Sequence, residues 1–380
     1  MGSKFAILSV AGLLTLGAQE LPLDLQNSVK IDLPSNSPVT LLSANLGGSH
    51  ATPRGSAMVV DLQQMVLSLR NAGDKHIRGV TLLVTAQEVT PGGRGSVTLA
   101  SLDVPPGGAF PVHIDLRLLR PAQLTAGPLV QVSLDGVLFG DLSFYGPNRL
   151  DSRRAMTAWE LEAQRDRRYF KTILSQRGPE GLRSSALESL VRQAERPRLD
   201  VQVVRGRSVS AAGVAPEHVA KFAFLEFPDS PVKPVEGWAQ LAGSEARSPR
   251  IQVENRSGRS VRYVEIGWLV KDSQGREFMA ASVPAGDPDL YLPPGRSGRV
   301  LQDAALKFSR GGQPVNIAGM TAFVSQVEFA DGQVWIPNRE SLAGARLLGV
   351  LAPSPEEQRL TDLYRKKGLD ALIRELQKFE

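Results

Sequence analysis

Val264, Ile266, Trp268 and Val270 alternate along the chain with Tyr263, Glu265, Gly267 and Leu269. Side chains of a strand point to opposite faces in turn, so the first set shares one face, which the sequence predicts to be the inner face of a β-sandwich with Trp268 in its core. Val80, Leu82, Val84 and Ala86 repeat the pattern earlier in the chain. Short runs of this kind, separated by Gly, Pro, Asn and Asp turns, predict sandwiches on both sides of a central region. That region changes period. Met156, Trp159, Ala163, Phe170, Ile173 and Leu174 share a helical stripe, and after Gly178-Pro179 a second stripe runs through Leu182, Ala186, Leu190 and Ala194 until Pro197 stops it. Near the C-terminus Ser354-Pro355-Glu356-Glu357 is a capping box with proline at the first helical position. Leu360, Leu363 and Tyr364 follow, Gly368 ends that helix, and Leu369, Leu372, Ile373 and Leu376 begin another.

The two sandwich regions are copies of one another. LSLRNAGDKHIRGVTLLV, from Leu67, reads against IQVENRSGRSVRYVEIGW, from Ile251, with Asn71 on Asn255 and Arg78 on Arg262. Pro105-Pro106-Gly107 falls on Pro293-Pro294-Gly295, Asp141 on Asp331, Tyr145 on Trp335 and Pro147-Asn148-Arg149 on Pro337-Asn338-Arg339. The offset grows only where Gly and Pro cluster, as loop insertions would make it. The helical regions share a Gln-Arg pair (Gln164-Arg165, Gln358-Arg359), an aromatic six residues after the Gln (Phe170, Tyr364) and a Gly-Leu (Gly181-Leu182, Gly368-Leu369). The duplicated unit is therefore a sandwich plus a helical hairpin.

Asn255-Arg256-Ser257-Gly258, Asp272-Ser273-Gln274-Gly275 and Leu292-Pro293-Pro294-Gly295 mark successive turns. Their order resembles that of immunoglobulin-like or fibronectin-like modules of exported bacterial proteins. The resemblance covers roughly residues 250–300 well and 65–110 more loosely, since the first copy has Pro91-Gly92-Gly93-Arg94-Gly95 in place of a D-x-x-G turn. It implies a mainly β fold with α: two duplicated immunoglobulin-like β-sandwiches, each followed by a short helical hairpin. The expected layout is a signal peptide over 1–18, a first sandwich over 19–150, a helical linker over 151–197, a second sandwich over 198–350 and a C-terminal hairpin over 351–380. The first helical pair is expected to pack on one or both sandwiches, and the C-terminal pair on the second.

Composition narrows the setting. At 380 residues, 42% of them hydrophobic and 22% charged, the chain can bury two cores of ordinary size. Met1-Gly2-Ser3-Lys4 followed by the apolar run Phe5 to Leu16 reads as a secretory signal peptide, too short to span a bilayer with ease. A periplasmic or secreted protein without a transmembrane span in its mature chain is expected. The absence of cysteine excludes disulfides, thiolate metal sites and thiol nucleophiles. The net charge of +5 is matched by residues 149–198, which hold 12 Arg and Lys against 7 Asp and Glu. Interleaved Glu160, Glu162 and Asp166 make this read as a solvated helix face, and no nucleic-acid role is expected.

Chemistry is sparse. His50, His76, His113 and His218 are scattered, with no metal-ligand spacing among them. No nucleophile elbow, phosphate loop, dinucleotide fingerprint or zinc-protease motif occurs. Asp287-Pro288-Asp289 is the densest acidic cluster and falls short of the oxygens calcium needs. No catalytic, cofactor or metal residue is nominated. Tyr145 and Trp335, repeated just before the Pro-Asn-Arg turns, are the candidate partner contacts together with Arg149 and Arg339, either as exposed aromatics or as plugs closing the sandwich ends. The leading expectation is a non-enzymatic binding or scaffold protein of the bacterial envelope that acts on a protein partner. A carbohydrate-binding module, with a glycan as partner, and an enzyme with a site in the inter-domain cleft are the alternatives.

Overall fold

The computed structural model describes residues 20–89, 91–122, 127–196, 199–205, 218–284, 290–301 and 304–379. The apolar N-terminal run, Pro197 and the Asp287-Pro288-Asp289 cluster lie outside them. Two compact units divide the chain, Met1–Ser152 and Arg153–Glu380. Each contains a sandwich.

In the first, β3 (Val39–Asn45) and β4 (His50–Arg54) lie end to end along one side of the long β5 (Ala57–Asn71), β8 (Ala109–Pro121) runs along the other side, and β1 (Leu21–Pro22) pairs with β4. The facing sheet runs β7 (Arg94–Leu99), β6 (Ile77–Thr85), β9 (Val130–Phe139), with β10 (Phe144–Tyr145) and the parallel β2 (Val29–Asp32) beyond β9. Leu62, Leu67 and Leu69 from one sheet and Val80, Leu82 and Val84 from the other fill the space between. The predicted inner face of β6 is the core.

The second sandwich repeats the plan. Its first sheet holds β12 (His218–Lys221), β14 (Val232–Ala242), β15 (Glu245–Asn255), β18 (Ser297–Leu301) and β19 (Ala304–Arg310), with β20 (Gln313–Pro314) and β11 (Asp200–Arg205) on β19. Its second holds β17 (Glu277–Pro284), β16 (Val261–Asp272), β21 (Ile317–Phe329), β22 (Val334–Trp335) and the parallel β13 (Ala223–Leu225). Val264, Ile266, Trp268 and Val270 lie in one core cluster, Trp268 at 1% exposure. The register is duplicated residue by residue: Val39 opposite Asn71, Leu41 opposite Leu69 and Ser43 opposite Ser68 become Val232 opposite Asn255, Pro234 opposite Val253 and Glu236 opposite Gln252. Even the bulge is kept, with Leu42 and Val235 as the extra residues. If interrupted strands count as one, strands 2, 3 and 6 face 4, 5 and 7 in both modules, and the first strand divides between the sheets, β1 and β12 joining strand 2 and β2 and β13 joining strand 7. An immunoglobulin constant domain instead sets strands 1, 2, 5 and 4 against 3, 6 and 7, so the likeness is one of sandwich architecture rather than of strand order.

The helices depart from expectation in two ways. α1 (Ser152–Glu195) breaks at Gly178, whose φ of 67° and ψ of −170° favour glycine, and Pro179 opens the next segment. Between α3 (Pro355–Lys367) and α4 (Leu369–Gln377), Gly368 has the same conformation, φ 82° and ψ −177°. Gly178, not Gly181, is thus the counterpart of Gly368, at the offset that also joins Arg149 to Arg339. Phe170 and Leu360, Leu182 and Leu372, Ala186 and Leu376 then pair, and all six lie in one core cluster. The second departure follows from this. The two hairpins bury Phe170, Ile173, Leu182 and Ala186 against Leu360, Leu372 and Leu376, since helices this short need a partner for their apolar stripes, while near the start of α1 Arg154 pairs with Glu328 and lies over the Tyr263 ring of the second sandwich. A separate cluster seats α2 (Arg339–Gly344) and a short 3-10 turn (Leu347–Gly349) on Phe227, Leu269 and Phe323 of the second sandwich. At the matching places the first sandwich has Leu33, Thr85 and Ser133.

Candidate functional site

The end of each sandwich is built around a buried asparagine. Asn71 Nδ2 donates to the carbonyls of Lys75 (2.9 Å) and Val104 (3.0 Å), and its Oδ1 accepts from the Gly73 N–H. Asn255 repeats this on Arg259 (2.7 Å) and Leu292 (2.8 Å), with Ser257 in place of Gly73. Both are fully buried, and a glycosylation role for the Asn255-Arg256-Ser257 sequon is removed by that burial. A cation closes the same end. Lys75 pairs with Asp141 at 2.8 Å and lies 5.8 Å from the Phe139 ring centroid. Arg259 pairs with Asp331 and lies 4.0 Å from that of Phe329. The Lys75 ammonium and the Ser143 hydroxyl hold the Asp141 carboxyl down to about 2, and Arg259 lowers Asp331 in the same direction. His76 is half-exposed, 3.1 Å from Asp103.

The four nominated contacts fall into three environments. Tyr145 and Trp335 are partly buried hooks. The Tyr145 hydroxyl donates to Asn36 Oδ1 (2.9 Å), and Trp335 Nε1 donates to Asp229 Oδ2 (3.3 Å) while its ring leans on Phe227. Tyr145 packs on the core of the first sandwich and Trp335 on that of the second, and neither lies in the cluster of the helical hairpins. Arg149 is exposed beside a groove of about 220 Å³ lined by Asp32, Pro34, Leu134 and Asp135. Arg339 is 8% exposed and turned inward.

Arg339 joins an ionic cluster that holds the hairpins together. It donates to Asp166 (2.7 Å) and Glu357 (3.1 Å), and its guanidinium lies 3.9 Å from the Tyr169 ring centroid. Asp166 also accepts from Ser354 (2.6 Å), and Glu357 from Ser189 and Arg192, both at 2.7 Å. Arg167 bridges Glu160 and Glu356. With Arg165, Arg359 and Glu375, five guanidiniums meet five carboxylates. The reading of this stretch as a solvated helix face fits Glu180, Arg183 and Glu188, which are exposed, but fails for Glu160, Asp166 and Arg167, which are buried because the packing that covers the apolar stripe covers its polar flanks too. Each of these buried carboxylates faces at least one guanidinium, the pairing that burial of charge requires.

Nearby, Glu162 is partly buried. Burial, aided by the Asp166 and Glu265 carboxylates and opposed by Arg165, pushes its carboxyl up to about 7. Glu265 itself accepts from the Tyr263 hydroxyl at 2.9 Å.

The open strand edges distinguish the copies. β3 pairs only with β5, and nothing further lies on its outer side among the described strands. Leu41 and Leu42 are 39% and 44% exposed there, and no charged residue lies between Val39 and Asn45. At the matching register β14 presents Lys233, Pro234, Val235 and Glu236, with Lys233 3.0 Å from Glu226. Proline cannot donate to an added strand and charges resist one, so the second edge is guarded and the first is not. Sequence reasoning missed this pair. Its signal was present: Asp32-Leu33-Pro34 and Ser37-Pro38-Val39 return as Glu226-Phe227-Pro228 and Ser230-Pro231-Val232, which extends the repeat into both edge strands.

Among the described residues no group of three or more His, Cys, Asp or Glu could hold a metal ion, and no helix is long and apolar enough to cross a membrane. No protein-family model matches the chain, and no curated protein sequence matches it. Among solved structures it is similar to red sea bream transglutaminase, at 10% identity over 76% of this chain and 31% of that one, with a TM-score of 0.13. It is also similar to a β-glucosidase from Kluyveromyces marxianus, at 7% identity over 72% of this chain and 45% of that one, with a TM-score of 0.14. The chain spans less than half the length of either, and likenesses this slight assign neither fold nor activity.

Proposed function

We propose that this protein is a non-enzymatic binding or scaffold protein of the bacterial envelope, and that its first sandwich takes an extended segment of a partner protein onto the β3 edge. The observation that carries the reading is the contrast between copies: one edge holds Leu41 and Leu42 where its duplicate holds Pro234 and Val235 between Lys233 and Glu236. Strand addition draws affinity from main-chain hydrogen bonds and selectivity from alternate side chains. Two exposed leucines on an uncharged edge suit a partner strand that is itself apolar on the matching face. The apolar N-terminal run supports export, and the turn motifs shared with immunoglobulin-like and fibronectin-like modules of exported bacterial proteins support an adhesive or scaffolding role.

The test is capture from the native envelope fraction by the purified protein, by a variant carrying Leu41→Lys and Leu42→Lys, and by Val235→Lys. A partner retained by the wild type and by Val235→Lys, but lost by the double variant, is the expected result. Equal capture by all three removes the β3 edge as the site. A glycan retained on an array by the same samples would favour the carbohydrate-binding alternative.

A further inference from the structure

The second segment of α1, from Pro179 to Glu195, buries Leu182, Ser185, Ala186 and Ser189. On its other side Leu187 and Val191 are 46% and 51% exposed, and Ser184 and Ala194 continue their line. These four are spaced three, four and three residues apart, the spacing of a coiled-coil seam. The counterparts of Ser184 and Leu187 on α4 are Arg374 and Gln377, both exposed. Leu187 thus stands where the other copy has Gln377, and the uncharged Ser184 where it has Arg374.

We propose that this face of α1 is a seam for a second copy of the chain, with the two helices parallel about a two-fold axis. Charge placement selects that occupant. Arg183 and Glu188 flank the seam with side chains 56% and 68% exposed, one just before the first seam residue and the other just after the second. In a parallel pair such positions, five residues apart, face each other across the seam, so Arg183 of each copy meets Glu188 of the other and the symmetry makes the contact twice. An antiparallel pair sets Glu188 against Glu188 or Glu195 of the other copy, which repels. The seam is short, so the association is weak and reversible.

Sedimentation velocity of the full chain across a concentration series tests this. The wild type is expected to show a concentration-dependent dimer. Arg183→Glu or Glu188→Arg alone should weaken it at least about tenfold, while the two together restore it to within about threefold, because opposite charges again face each other. Added salt should weaken the wild-type dimer. Both residues are exposed, so unchanged thermal melts will show that folding is intact. A wild type that stays monomeric overturns the proposal, as does a dimer indifferent to charge reversal or one that the double reversal fails to restore. The β3 reading stands apart: Leu41→Lys with Leu42→Lys should leave this dimer unchanged, and its loss in that variant would place the contact on β3 instead.

Discussion

Arg149 and Arg339 stand at the same place in the two copies, each closing a Pro-Asn-Arg turn, yet one is exposed and the other is 8% exposed and bonded to Asp166 and Glu357. The difference lies in what each copy's following segment does. After Arg339 the chain forms α2, caps it with Asn338 and brings the arginine under the paired hairpins. After Arg149 it enters α1 directly, and the side chain stays at the surface.

Removal of one guanidinium from this buried cluster leaves Asp166 with Arg165 and Glu357 with Arg192, each one partner short, and breaking a buried pair costs about 3–5 kcal/mol. Arg339→Ala should destabilise the second unit by that order, whereas Arg149→Ala should change stability by less than about 0.5 kcal/mol. Denaturant unfolding of the two variants checks this. Similar losses in both would contradict the cluster's role.

The paired asparagines predict a duplicated effect. Asn71→Ala strips hydrogen bonds from the Lys75 and Val104 carbonyls, and Asn255→Ala from those of Arg259 and Leu292. Each should destabilise its own unit by about 3 kcal/mol. Limited proteolysis should cut the first unit of one variant and the second unit of the other; cutting confined to one unit in both variants would contradict the equivalence.

Much of this plan was legible in the chain. Alternation placed Val80, Leu82, Val264 and Trp268 on inner faces, because a strand with one face in the core has to repeat every two residues. The break after the first helical stripe followed from Gly178-Pro179. What eluded the sequence was where each stripe would go: Phe170 and Leu360 carry no mark that they meet each other rather than a sheet. Nor does the spacing of Glu160, Asp166 and Arg167 separate a solvated ion pair from a buried one. Tyr145 and Trp335 were visible as a repeated pair, but their role as hooks depends on Asn36 and Asp229, more than 100 positions away in each copy.

Glu162 predicts a pH dependence. Its carboxyl titrates near 7 in the folded chain against an ordinary 4.5, so the fold favours the protonated form. The cost of ionising it in place is absent below about pH 4.5, grows as pH rises to about 7 and is complete above that, amounting to about 2–3 kcal/mol. Glu162→Gln should therefore be more stable than the wild type at pH 8 and about equal to it at pH 4.5. Urea unfolding at the two pH values decides it; a stability difference independent of pH would refute the assignment.

The central claim is that the first sandwich binds a partner through an edge the second sandwich keeps closed. A photo-crosslinking amino acid placed at Leu42, and in a separate sample at Val235, puts that claim to its most direct test in living cells, since the two positions are the same bulge in two copies. The account predicts a discrete adduct with another envelope protein from position 42 and none from 235. Equal adducts from both positions, or none from 42, would contradict it.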